Sequence, residues 1–199
     1  MTTPPFDTVS DEDVRIVSRQ LGRPARDVIG IAARCVCGAP TVVSTKPRLS
    51  DGTPFPTIYY LCHPAATASV STLEAKGQMA ELAALLEGEI GEQYQAAHDA
   101  YIADRECVEV VPELAGVSAG GMPTRVKCLH ALVGHSLAAG PGVNPIGDIA
   151  LERASWSPTV CQCPDYSDAV TDSALADSAV TDGALADAVS AKAAGETVP

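Results

Sequence analysis

Apolar positions along the chain follow two periods, and the changes between them outline the fold. Val14, Val17 and Leu21 stand at helical spacing. Ser10, followed by Asp11, Glu12 and Asp13, has the form of an N-cap with acids in the first turn, and Gly22 stands where a C-cap would. From Val28 the pattern becomes extended. Val28 to Ile31, Thr41 to Thr45 and Thr57 to Leu61 are β-favouring runs, with a tight turn predicted over Cys35 to Pro40 and a Pro- and Gly-containing loop over 46–56. Such a succession predicts a three-stranded antiparallel meander. In a meander the end of the first strand, the start of the second and the end of the third share one edge, so Cys35, Cys37, Cys62 and His63 are expected together there.

Beyond Pro64, which stops the third strand, the period is helical again. Ser71-Thr72-Leu73-Glu74 reads as a capping box, with Leu73, Met79, Leu82, Leu85 and Leu86 on one face. After Gly88 and Gly91 a second face runs through Tyr94, Ala97, His98, Tyr101, Ile102 and Arg105, which predicts two helices or one kinked helix across the sheet. His98 and Tyr101 fit a half-buried helix face, and Cys107 fits a packed thiol. A Gly/Ser loop spans 112–121. A helix is predicted from Pro123 to Ala138, with Pro123 in its first turn and Val126, Leu129, Leu132 and Val133 on its apolar side. Gly140 to Pro145 ends it, a short helix over 148–154 follows, and Trp156 is placed as a cap on the core. The fold class is therefore α+β, a small meander with about four to five helices.

Residues 169–178 (AVTDSALADS) and 179–188 (AVTDGALADA) form a near-repeat of Ala, Asp, Ser, Thr and Val. A segment of that composition buries too little apolar surface to offset the entropy of ordering it. The expected organisation is a flexible start over 1–9, a single globular domain over 10–164 and a disordered acidic tail over 165–199.

Charge changes the picture in one respect. The net charge is −12, yet between Arg15 and Arg48 seven cations stand against Asp27 alone. So acidic a remainder repels nucleic acid, and the basic stretch suits either a salt-bridged face or a pocket for phosphate or another small anion. Arg34, Arg48, Arg125 and Lys127 are the candidate anion-binding residues. The first residues lack the cationic start and apolar run of a secretory signal, and no segment is long and apolar enough to insert in a membrane, so a cytoplasmic location is expected.

Seven cysteines in a reducing compartment suggest metal ligands or reactive thiols rather than disulfides. The candidate ligands are Cys35, Cys37, Cys62, His63, Cys128, His130, His135, Cys161 and Cys163. Soft thiolate and imidazole donors favour zinc, with an iron–sulfur cluster as the alternative. At roughly 100° per residue, Cys128 and His130 on an ideal helix point apart, while Cys128 and His135 share a face but lie roughly 10 Å apart along it. Either the helix begins near Cys128, freeing Cys128 and His130 to turn together, or only one of the two is a ligand. The first choice of metal ligands is Cys35, Cys37, His63 and Cys128, leaving open whether Cys161 and Cys163 join them. An enzyme reading uses the same region differently: Cys128, flanked by Arg125 and Lys127, as a nucleophile, with His130 or His135 as its base.

The stretches QLGRPARDVIGIAARCVCGAP, RLSDGTPFPTIYYL and GMPTRVKCLHALVGHSLAAGPGVNP resemble the actinobacterial family catalogued as domain of unknown function 501, over about residues 10–164. The resemblance implies no particular reaction. It implies, by the neighbourhood in which such proteins are encoded, beside a septum-formation-initiator-like protein and an exopolyphosphatase, a cytoplasmic partner in cell division, the envelope or phosphate metabolism. Two functions follow as expectations: a zinc-binding regulatory or binding module, and a small Cys/His-dependent hydrolase or transferase acting on a phosphorylated or anionic substrate.

Overall fold

The computed structural model describes residues 6–166; Met1 to Pro5 and the repeat tail from 167 onward lie outside the described residues. Helix α1 (Asp11–Leu21) opens as the sequence predicts. Ser10 accepts from the Asp13 amide, Asp13 caps back, and Gly22 closes the helix in the left-handed conformation. Strands β1 (Val28–Arg34), β2 (Pro40–Thr45) and β3 (Tyr59–Leu61) form an antiparallel sheet in the order β1-β2-β3, with Ile31 opposite Val43 and Ser44 opposite Tyr59. Asp7 exchanges two backbone hydrogen bonds with Ile31, so the chain before α1 runs along the outer edge of β1.

Helices then cover the sheet: α2 (Pro64–Ala75), α3 (Gln78–Ala84), α4 (Glu89–Val108), α5 (Leu129–Ala139) and α6 (Pro145–Arg153). The described residues thus hold six α-helices in an α+β fold, where patterning predicts about four to five. The difference arises at Gly77, whose positive φ separates α2 from α3. Two boundaries also differ from expectation. Helix α2 begins at Pro64, with the His63 side chain as its N-cap, so Ser71 to Glu74 lie in its last turns instead of opening a helix. Helix α5 begins at Leu129 and not at Pro123, because the Lys127 and Cys128 amides bond to the Gly120 carbonyl and hold the approach as a loop.

The sheet is buried on both faces. One face joins Val42, Tyr59 and Leu61 to Leu73, Leu82, Tyr94, Tyr101, Leu129, Leu132 and Ile146, and the other packs Ile31, Val43 and Cys62 against Val17 of α1. Each fully buried Leu or Ile contributes roughly 1.5–3 kcal/mol through apolar burial, which makes the helical face the main source of stability. Two glycines set the spacing. A Cβ at Gly134 would stand 3.0 Å from the Tyr59 carbonyl oxygen and one at Gly147 only 2.3 Å from that of Leu132, so α5 lies close on β3 and α6 close on α5. Among the described residues no helix is long and apolar enough to cross a membrane.

Candidate metal centre

The β1–β2 turn is short because Arg34 pairs with Pro40 across the sheet, leaving Cys35 to Ala39 to reverse the chain. The Cys35 amide donates to the Ala39 carbonyl and the Gly38 amide to that of Cys35, both at 2.8 Å. Arg34 braces this turn: its guanidinium reaches both carboxylate oxygens of Asp13, at 2.6 and 3.1 Å, and the Gly38 carbonyl at 3.0 Å. The same contact holds the Asp13 carboxyl down at about 2, below the ordinary aspartate value.

The second Cys-x-Cys arrives from the far end of the domain. After α6 the Ser155 amide bonds Ser69 Oγ on α2 at 2.8 Å, and Trp156, 3% exposed, packs on the His63 ring with centroids 5.2 Å apart. The chain continues past Cys161 and Cys163 to Tyr166, whose carbonyl accepts from Arg19 on α1. This path brings Cys35, Cys37, Cys161 and Cys163 together, with all four sulfurs within 4.8 Å of one another and Cys37 Sγ 3.4 Å from Cys163 Sγ. A disulfide would need about 2.05 Å, whereas thiolates roughly 2.3 Å from one tetrahedral ion stand about 3.8 Å apart. The cysteines are free thiols, and the cluster is compatible with holding a metal ion.

Electrostatics agree with a crowded set of thiols. A backbone hydrogen bond from Ala39, assisted by the neighbouring thiols, lowers Cys37 to about 7, while burial and then Cys37 and Cys35 push Cys163 up. Without a cation the group tolerates little negative charge. His63 stands beside the four sulfurs. Its Nδ1 accepts from the Ala66 amide at 3.3 Å, which places the ring proton on Nε2, 3.2 Å from Cys163 Sγ. His63 therefore offers an N–H to a sulfur of the cluster instead of a free lone pair, and burial depresses its pKa. Cys62, its sequence neighbour, faces the other side of the sheet; its thiol donates to the Thr41 carbonyl at 3.3 Å, and burial raises it to about 12.

Of the first-choice ligands, the structure places Cys35 and Cys37 in the cluster, His63 beside it, and Cys128 elsewhere. Cys128 is the N-cap residue of α5, so it and His130 turn together, and with Glu74 of α2 they form a second group whose ligand atoms lie within 4.8 Å of one another. Glu74 accepts from the Leu129 amide at 2.7 Å, so the acid of the expected capping box serves the start of α5. A hydrogen bond in which the Cys128 sulfur accepts leads the causes that raise the His130 pKa, against burial and with help from Glu74.

His135 belongs to neither group. It is fully buried, stacked on Tyr59 at 5.8 Å and edge-on to Tyr101 at 5.0 Å, and its Nδ1 accepts from Asn144 at 3.1 Å; burial lowers it to about 4. Of the candidate anion-binding residues, Arg34 is engaged by Asp13, and Arg48 by Glu113 at 2.7 Å and the Gly52 carbonyl at 2.8 Å. Arg125 and Lys127 are exposed on the loop leading to Cys128.

No curated protein and no solved structure matches the chain. One family does, over residues 31–152, a stretch that contains Cys35, Cys37, His63, Glu74, Cys128 and His130 and stops short of Cys161. The chain belongs to that family, described as protein of unknown function (DUF501).

Proposed function

We propose that this protein is a zinc-binding module in which one ion, held by Cys35, Cys37, Cys161 and Cys163, ties the C-terminal segment to the sheet and shapes a surface for binding or regulation. The observation that carries the reading is the mutual approach of four sulfurs delivered from the β1–β2 turn and from the irregular segment that follows α6. Four thiolates and no open position are the donor set of structural zinc sites. A multi-iron cluster would place its own iron and sulfide atoms between the thiolates and spread them, so separations all within 4.8 Å favour a single ion. The His63 N–H toward Cys163 supplies the outer contact that such thiolates receive.

Elemental analysis of protein purified under reducing conditions without added metal tests the reading. At least one zinc per chain is expected, and Cys163→Ser should release one. Protein that carries no metal and takes up none when zinc is supplied overturns it.

A further inference from the structure

The cluster at the start of α5 shares no residue with the four-thiol centre, and its hydrogen bonding calls for positive charge, from an ion or from a second ring proton on His130. His130 Nε2 lies 3.2 Å from the Thr67 carbonyl oxygen and 3.1 Å from Ser71 Oγ, while Nδ1 lies 3.2 Å from Glu74 Oε1. A carbonyl only accepts, so Nε2 carries a proton. In a neutral ring that leaves the Nδ1 lone pair aimed at a carboxylate oxygen, with the Cys128 sulfur within 4.8 Å of both. Such a meeting of acceptors holds only with positive charge among them.

The surroundings match those of a metal-bound imidazole. One ring nitrogen of such a histidine faces the ion, and the other donates to a carbonyl, as Nε2 does to Thr67. Glu74 is held by the Leu129 amide, and Cys128 is fixed at the helix start. The His130 and Glu74 side chains are 26% and 24% exposed, so the third dimension of the site opens to solvent. One sulfur, one nitrogen and one oxygen donor with an open side is the pattern of zinc sites that keep a free coordination position, in contrast to closed four-thiolate sites.

We propose that Glu74, Cys128 and His130 form a second site, for a divalent ion of the zinc type, with an exchangeable fourth position that takes water or a small anion. Arg125 and Lys127, exposed on the loop before Cys128, add positive charge on the approach.

Cobalt(II) is the probe, added to metal-depleted protein under reducing conditions and followed by stoichiometry and absorption. Two ions per chain are expected, one with strong sulfur-to-cobalt charge transfer and one with weaker single-thiolate absorption. Glu74→Gln and His130→Ala should each remove the weaker set and one ion while leaving the stronger set. Azide should shift only the weaker set, because only that ion has a free position. The proposal is overturned if these variants bind as many ions as the unaltered protein, or if the unaltered protein binds a single ion that Cys163→Ser removes; the latter is the result expected when the second ring nitrogen merely carries a proton. Absence of the stronger set from the unaltered protein, with the weaker set present, would instead count against the four-thiol centre. Circular dichroism of both variants checks the fold, and the conservative Glu74→Gln retains an oxygen acceptor for the Leu129 amide, so the proposal does not depend on His130→Ala folding.

Discussion

His63 and His135 are both fully buried, and they occupy opposite kinds of place. His63 lies at the sheet edge with one nitrogen capping a helix and the other directed at a sulfur among four. His135 lies in the middle of the helical face between two tyrosine rings, and its Nε2 has no hydrogen-bond partner among the described residues. The first region is built from turns and loops whose polar groups converge on one point. The second is built from close-packed helices that keep a titratable group neutral. Residue type alone suggests chemistry for both; the partners of each nitrogen separate a centre from a core.

The largest expected effect lies at the sheet edge. The proposed ion shared by Cys35, Cys37, Cys161 and Cys163 would close a loop of more than a hundred residues, and a cross-link over such a loop removes about 4–5 kcal/mol of chain entropy from the unfolded state. Removing the metal with a chelator, or replacing Cys163 with Ser, should lower unfolding stability in urea by an amount of that order. The helical core should keep its circular dichroism. Unchanged denaturation midpoints would show that the C-terminal segment is held by Trp156 and Ser155 without help from the sulfurs.

His63 gives the next test. Its N–H toward Cys163 would be an outer contact to a ligand of the proposed ion, and loss of such contacts costs about 10–100-fold in metal affinity. His63→Gln, measured by competition with a chromophoric chelator, should weaken binding within that range; equal affinity would reduce His63 to a helix cap.

His135 should respond to pH and not to metal. Its folded pKa of about 4 lies below the unfolded 6.5, so the unfolded chain binds the extra proton first as pH falls. The stability this neutral ring contributes is complete above 6.5 and declines until pH passes 4. Between pH 7.5 and 5 the loss is about 2 kcal/mol. His135→Phe should flatten that part of the profile relative to the unaltered protein, while leaving metal content the same. An equal slope in both proteins would place the pH sensitivity elsewhere.

The sequence makes the local parts of both regions legible. β-Favouring runs and turn residues mark the three strands, and Ser10 and Gly22 mark both ends of α1, because caps and turns are decided by neighbouring residues. Three features escape local rules. Pro64 stops β3 and also starts α2, and only the His63 side chain, acting as a cap, reveals the second role. The start of α5 depends on the Gly120 carbonyl, so apolar spacing through Val126 extends the predicted helix too far. Cys161 and Cys163 meet Cys35 and Cys37 only through the packing of α6, Ser155 and Trp156, which no spacing encodes. The one signal available is that the same Cys-x-Cys occurs near each end of the domain.

The smallest effect tests whether the turn at the sheet edge needs its brace. Asp13 is held at about 2, first by its hydrogen bond with Arg34, so its contribution is present above the unfolded value of 3.8 and is lost as pH falls toward 2. Arg34 remains 31% exposed, and water and salt screen the pair, so Asp13→Asn at neutral pH should cost about 1 kcal/mol, less than the full shift implies. The same guanidinium holds the Gly38 carbonyl, which ties helix α1 to the Cys35–Cys37 turn. Arg34→Lys keeps the charge but loses the two-pronged contact. If the brace positions the sulfurs, this variant should release metal faster while Asp13→Asn and Arg34→Lys lose similar stability. A stability loss with unchanged metal release would confine Arg34 to anchoring α1, and the centre would then rest on its own turns.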